Sequence, residues 1–384
     1  MKLLTRPLPL ALACALALSA TAFAQSKSPQ PPIVVGAVSS LTGPGASDAS
    51  VQAARLYFEA INAEGGIQGR RIEYRVIDDQ ISPPQAQRAA SQLIADPRVV
   101  ALAGGSSALE CSVNHSLYAQ AGLYNLPGGG VDPACFSSSH IAPLNTGPYV
   151  ATARALSFAH RVLRHERLCV VSPAMRGMTE AFEQSVHDWT QRTQAPAPTL
   201  DMYQLGEPLE PLVQQVAARQ CQAIVYTGPG VPAIEWVLAS RKAMPKVPMV
   251  MLTPVYTSEA AKALENTGGD LYVMAEFDPW SSGSMQILNW RRLLVTNKIE
   301  PSSLSQGGYI AAQALVHTLK SMRVPITRAS VSTALETMAP WRSGMMDKPF
   351  QVGAQGKHQL NQSALPMKLV SGKWRIAHSQ WISD

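Results

Sequence analysis

Residues 33–79 constrain the fold more than any other stretch, because they hold one complete strand, loop, helix and strand. Residues 33–38 are an apolar run closed by Ser39, Ser40, Thr42, Gly43, Pro44 and Gly45, the pattern of a buried parallel strand entering a surface turn. Val51, Ala54, Phe58 and Ile61 then recur every three or four places, which gathers one face of a helix against a sheet. Gly65 and Gly66 end that helix, and Ile72, Tyr74 and Val76 alternate with Glu73 and Arg75 in the next strand. Such a βαβ opening predicts a parallel α/β sheet, which takes ligands outside the carboxyl ends of its strands. Residues 39–48 are therefore the first place to expect one.

The alternation persists. Ser82 caps a helix that has Pro83 and Pro84 in its first turn, Asp96 and Pro97 end it, and residues 99–103 are another buried strand. Gly104, Gly105, Ser106 and Ser107 follow, and the next helix, 108–120, aims free N–H groups and the positive end of its dipole at them. That arrangement suits an anion; the same serines also fit a plain helix cap. A strand near 124–126 runs into Pro127, Gly128, Gly129, Gly130, Val131, Asp132 and Pro133, where the triple glycine exposes backbone amides and carbonyls and Asp132 reads as a turn former. Past a crossing near 145–147, strands are expected at 168–172, 199–203, 223–227, 247–252 and 271–275, with helices at 178–189, 209–219 and 233–242. Residues 366–382 read as a hairpin turning at Ser371, Gly372 and Lys373. The fold class is α/β, two doubly wound Rossmann-like lobes with parallel sheets facing one another across a cleft.

The GAVSSLTGPGA loop, the AINAEGGIQGRRIE link, the IDDQ strand end and the SPPQAQRAASQLI helix stand in the order found in the type I periplasmic solute-binding proteins of the leucine, isoleucine and valine binding class, which the chain resembles. Similarity continues more loosely to the C-terminus. The resemblance implies the periplasmic-binding-protein type I architecture, with a three-strand hinge that returns near 276–278 and crosses again near 345–348. Lobe 1 is then 25–145 and 276–346, and lobe 2 is 146–275 and 347–384. It also implies the substrate-binding component of an ABC-type importer, a monomer that closes on a small-molecule solute and serves membrane permease and ATPase subunits. A ligand-binding sensor of the same fold and a true branched-chain amino-acid binder are the alternatives. No enzyme activity and no cofactor are implied.

By position, Ser106 and Ser107 inherit the role of holding the ligand's carboxylate. Three departures shape the expected ligand. Val131 stands where amino-acid binders carry a hydroxyl residue, and Arg176 replaces an aromatic residue before Gly177. Thr253, Pro254, Val255 and Tyr256 supply no acid for an ammonium group, which is costly to bury unpaired. Arg176 can clamp a carboxylate with two parallel hydrogen bonds, or it is a solvated arginine. The loop of Tyr226, Thr227, Gly228 and Pro229 is placed to close over the apolar part of a ligand, although Tyr226 also fits a core position. The candidate ligand set is Ser106, Ser107, Gly129, Gly130, Val131, Arg176, Pro229 and Tyr256, and the expected solute is a small carboxylate or amide-like molecule in preference to a zwitterionic α-amino acid.

Residues 1–24 read as an export signal, with Lys2 and Arg6, an apolar run at 8–18, and Ala22, Phe23 and Ala24 as the cleavage site, so the mature chain is expected in the periplasm. Cys14 offers a rival reading as a lipid-attachment cysteine. The run is too short to span a bilayer, and the remaining 360 residues or so suit two domains. Of the formal charge of +6, the signal supplies two, and what is left shows neither basic runs nor interleaved aromatics, which excludes a nucleic-acid binder. Cys111, Cys135, Cys169 and Cys221 remain in an exported chain. Cys111 and Cys135 flank the same strand and ligand loop and are the preferred disulfide; Cys169 and Cys221 are either a second bridge or two buried thiols. Cys111 and His115 have helical spacing but no second Cys or His pair, so no metal site is expected. Neither a Gly-x-Ser-x-Gly elbow, a phosphate-binding loop nor an HExxH occurs, and adjacent Asp78 and Asp79 point to opposite faces of a strand, as structural acids would.

Overall fold

The computed structural model describes residues 30–383 apart from Pro44, Met175 and Arg176; residues 1–24, read from sequence as an export signal and including Cys14, and Arg176 lie outside the described residues. In chain order the first half runs β1 (Ile33–Ser39), α1 (Ala49–Ala63), β2 (Ile72–Asp78), α2 (Pro83–Ala95), β3 (Val99–Ala103), β4 (Ser106–Ser107), α3 (Glu110–Ala121), β5 (Asn125–Leu126), β6 (Gly129–Gly130) and α4 (Pro133–Ser137). Strands β2, β1, β3 and β5 form a parallel four-stranded sheet in that order. Every residue of β1 is buried. Ile33 and Val35 enter one core with Phe58 of α1, and Val34 and Val38 enter the opposite core with Leu93 of α2, so an unbroken apolar run is what a strand covered on both faces requires.

The second half runs α5 (Pro148–Ser157), β7 (Leu168–Pro173), α6 (Thr179–Thr193), β8 (Thr199–Tyr203), α7 (Glu210–Ala218), β9 (Ala223–Tyr226), α8 (Gly230–Arg241), β10 (Met249–Leu252), α9 (Ser258–Leu264) and β11 (Leu271–Ala275). Its strands again divide their side chains between two cores, Cys169, Val171 and Ile224 on one face and Leu168, Val170 and Ala223 on the other. Then α10 (Met285–Thr296), α11 (Ser303–Ser321) and α12 (Arg328–Glu336) return to the first sheet, where Trp290, Ile310 and Leu335 join the core of Ile33 and Val35. Phe350 and Val352 still belong to that core. The chain ends as β12 (Leu365–Val370) and β13 (Lys373–Ile376), an antiparallel hairpin turning at Ser371 and Gly372, both in left-handed backbone. It adds antiparallel to β11 and completes a seven-stranded sheet in the order β13-β12-β11-β10-β9-β7-β8.

Both possible disulfides are present. Cys111 in α3 is bonded to Cys135 in α4 with Cα atoms 5.0 Å apart, and Cys169 in β7 to Cys221 just before β9 at 5.9 Å. Among the described residues no helix is long and apolar enough to cross a membrane.

Glu110, in the first turn of α3, is 1% exposed and accepts hydrogen bonds from the Tyr118 hydroxyl and the Asn125 amide. Burial pushes its carboxyl from an ordinary 4.5 up to about 7, the two hydrogen bonds offsetting this only in part. A group raised in the folded state stabilises most below its unfolded value, and that contribution is lost as pH rises through its folded value. Thermal melts between pH 4.5 and 8 should show a steeper loss for the native chain than for Glu110→Gln, the gap closing about 3 kcal/mol. Parallel curves for the two proteins would show that Glu110 titrates normally.

Candidate ligand-binding site

The short strands β4 and β6 pair in parallel, Ser106 opposite Gly129 and Ser107 opposite Gly130, which joins the serine loop to the glycine loop beyond the carboxyl end of β3. Asp79 locks this platform. Its carboxylate is fully buried and accepts from Ser40 Oγ at 2.8 Å, from Ile81 N at 3.0 Å and from Ser107 Oγ. Asp78 holds the neighbouring loop through Leu41 N at 2.9 Å, Gln80 N at 2.9 Å and Thr42 Oγ1 at 2.6 Å. Burial would raise the Asp78 carboxyl, but these donors together outweigh it and hold the group below its usual range. Both aspartates are therefore structural.

The two serines separate in role. The Ser107 hydroxyl gives its proton to Asp79 and accepts Glu110 N at 3.0 Å and Leu109 N at 3.2 Å, so it braces the turn into α3 and takes up the first N–H of that helix. Ser106 has backbone ties to Ser39, while its half-buried side-chain hydroxyl forms no hydrogen bond among the described residues. It is the hydroxyl on offer.

Gly130 is not free for a ligand: its N–H donates to Asn145 Oδ1 at 2.8 Å and its carbonyl accepts Asn145 Nδ2 at 2.9 Å. Gly129 is demanded by space, since a Cβ there would lie 2.9 Å from both Leu304 Cδ2 and Ser106 Oγ. The Val131 carbonyl accepts the Tyr149 hydroxyl of α5 at 3.0 Å, and the Tyr149 ring packs against Phe182.

From the second sheet, the loop after β10 brings Thr253 Oγ1 to 2.5 Å from Ser303 Oγ at the start of α11. Tyr256, 1% exposed, stacks on Trp280 with ring centres 3.5 Å apart and planes 10° from parallel. Its hydroxyl lies beside the Trp280 backbone without meeting hydrogen-bond geometry, and burial pushes the phenol well up. Pro229 is exposed at the start of α8, and Tyr226 is core, its hydroxyl 2.5 Å from that of Tyr203. Ser106, Ser107, Gly129, Gly130 and Val131 thus share one platform, Tyr256 sits in the second sheet's core facing Trp280, and Arg176 lies outside the described residues. Tyr149, Trp280, Ser303 and Asn145 were not singled out from sequence. The serines at 302, 303 and 305 were the available signal, because a serine cluster opening an apolar periodic run marks a helix start.

Two cavities of about 330 and 310 Å3 open on the outer surface, the first lined by Leu41, Asp48, Gln52, Arg55 and Asn297, the second by Glu183, His187 and Gln191; neither touches the candidate ligand set. No group of three or more His, Cys, Asp or Glu could hold a metal among the described residues.

A family model described as periplasmic binding protein matches residues 32–373. No curated protein matches. Solved structures do. A possible leucine/isoleucine/valine-binding protein from Rhodopirellula baltica SH 1 aligns with TM-score 0.78 at 16% identity, over 91% of this chain and 97% of that one. A fatty acid ABC transporter substrate-binding protein from Thermomonospora curvata aligns with TM-score 0.78 at 18% identity, over 92% and 93%. The branched-chain amino acid transporter substrate binding protein LivJ from Streptococcus pneumoniae, in complex with isoleucine, aligns with TM-score 0.74 at 15% identity, over 90% and 98%.

Proposed function

Because the chain belongs to the periplasmic binding protein family, a family of solute binders, we propose that it is the substrate-binding component of an ABC-type importer. It captures one small solute between its two sheets by hinge closure and hands it, as a monomer, to permease and ATPase subunits. Membership implies a periplasmic or extracellular location; the periplasm, reached through the signal at 1–24, is the proposal. The lobes follow the division at 145 and 276, with the last boundary moved beyond Val352, since Phe350 and Val352 pack with the first core and Ala364 with the second.

The observation that carries the reading is the set of contacts between loops of the two sheets: Tyr149 to Val131, Thr253 to Ser303 and Tyr256 to Trp280. These lie where a solute would touch both lobes at once, which is what makes closure ligand-dependent. The groups around it are hydroxyls and aromatic rings, and the nearest acids already serve the fold: Asp132 accepts Ala134 N at 2.7 Å at the start of α4, and Asp278 accepts Ser284 Oγ at 3.1 Å. A carboxylate or amide-like head with an aliphatic or aromatic body fits these groups better than a zwitterion. One structural relative is named for fatty acids, which share that chemistry, and another holds isoleucine, which adds an ammonium to it.

Calorimetric titration of leucine, isoleucine and valine against the matched carboxylic acids without the amine tests the ligand class. The acids should bind tighter. Ser106→Ala should weaken the best of them roughly 2- to 10-fold, and Arg176→Ala about 10- to 100-fold. Tighter amino acids, with no loss on either substitution, would return the chain to the branched-chain amino-acid binders.

A further inference from the structure

The three segments that link the two sheets converge on one side chain. Glu276 directly follows β11 and is 3% exposed. Its Oε1 accepts the N–H of Gly147 at 2.9 Å, which ties it to the first crossing, with the Asn145 side chain beside it. Its backbone carbonyl accepts Asn361 Nδ2 at 2.7 Å, which ties it to the third. Asn361 Oδ1 in turn accepts Ser363 N, and the Ser363 carbonyl accepts Thr146 Oγ1 at 2.7 Å, closing a ring through all three segments. Gly147 sits at φ 78, a backbone conformation open to glycine and strained for other residues. Any rotation of one sheet against the other must turn the backbone here.

Resting on the hinge-closure reading above, we infer that Glu276 couples closure of the lobes to a proton: the closed form keeps the neutral acid between the crossings, and the open form releases a hydrated carboxylate. Burial raises this carboxyl from 4.5 to about 7, more than the Gly147 N–H and the nearby Asn145 amide lower it. The charged groups on the surrounding segments are engaged elsewhere. Arg154 of α5 donates through Nε to the Gln362 carbonyl at 2.7 Å, Asp278 accepts Ser284 Oγ at 3.1 Å, and Asp347 takes Ser363 Oγ at 2.8 Å with Lys348 Nζ at 3.5 Å. No ion pair reaches Glu276 among the described residues.

The sign follows from linkage. With the closed form binding the proton more tightly, closure is favoured below pH 7, and that advantage fades as pH rises through about 7. Solute affinity at pH 5.5 should exceed that at pH 7.5 by roughly tenfold.

Small-angle scattering of the full chain without added solute, from pH 5 to 8, tests this. The radius should grow between pH 5 and about 7 in the native chain, stay small in Glu276→Gln, and keep its response in Glu110→Gln, whose buried acid lies in α3 away from the crossings. A flat native profile overturns the inference even if Glu276→Gln does not fold, and so does a Glu276→Gln profile that tracks the native one. Thermal-shift titration at pH 5.5 with isoleucine and 3-methylpentanoate separates the two readings. Solute binding with a flat pH profile removes only the proton link, whereas a pH-dependent radius with no solute bound removes only the solute reading.

Discussion

Asp79→Ala should destabilise the chain by about 3 to 5 kcal/mol, the range for uncovering buried partners of a carboxylate. The carboxylate is fully buried and three donors converge on it. Removing it strands the hydroxyls of Ser40 and Ser107 and the Ile81 amide, and Ser107 also accepts the first N–H of α3. Ile81 raises the stakes, since it is β-branched and held at φ 51, where such residues are strained and persist only when their surroundings fix them. Asn at the same place keeps the volume and one acceptor oxygen, so it should lose about half as much. Guanidinium unfolding of the three proteins measures the difference. Equal midpoints would mean that water replaces the carboxylate and that the platform under Ser106 does not depend on it.

Gly308→Ala should cost about 3 kcal/mol or more, the upper end of overpacking, although alanine ordinarily stabilises a helix interior by about 1 kcal/mol over glycine. Gly308 lies inside α11, where a methyl group would overlap the Ser50 carbonyl of α1, and at Gly307 it would overlap the Gly128 carbonyl. Both obstacles are backbone, so no side-chain rotation relieves them. The same contact seats Gly128 beneath the β4–β6 ladder, and solute affinity should fall together with stability. Gly283→Ala is the control, because nothing lies within 4 Å of a Cβ there and its φ is not positive. Matching melting temperatures for the two variants would show that α1 and α11 can separate at no cost.

The first sheet was readable in the sequence because β1 is buried on both faces, which leaves an unbroken apolar run, and α1 on one, which leaves a helical period. Asp78 and Asp79 were legible as structural acids by the same logic, since adjacent strand residues cannot share a substrate. The β4–β6 ladder was not, because two residues per strand are too few to show alternation. For the same reason the triple glycine suggested exposed backbone, whereas the fold uses Gly129 for close packing and satisfies Gly130 with Asn145. Ser107 read first as a ligand contact, and its tie to the buried Asp79, 28 residues away, left no local trace. Tyr149, Trp280 and Ser303 gain their meaning from contacts with distant residues, which no local pattern announces.

The return of α10, α11 and α12 to the first sheet has a consequence for how the chain comes to be folded. Gln68 bonds the Met322 carbonyl across 254 residues of sequence, Arg328 bonds the Val99 carbonyl across 229, and Tyr124 bonds Glu336 across 212. The first lobe therefore cannot close its core while only its N-terminal part has emerged, and loop closure over such distances is slow. The second lobe also waits, since Arg154 of α5 bonds the Gln362 carbonyl across 208 residues, and the closing hairpin that completes its seven-stranded sheet follows α12. Both disulfides join residues of a single sheet's surroundings, Cys111 to Cys135 and Cys169 to Cys221, so neither spans the long gap or speeds its closure. The core of the first sheet therefore waits for α11 and α12, however early β1 and α1 emerge from synthesis.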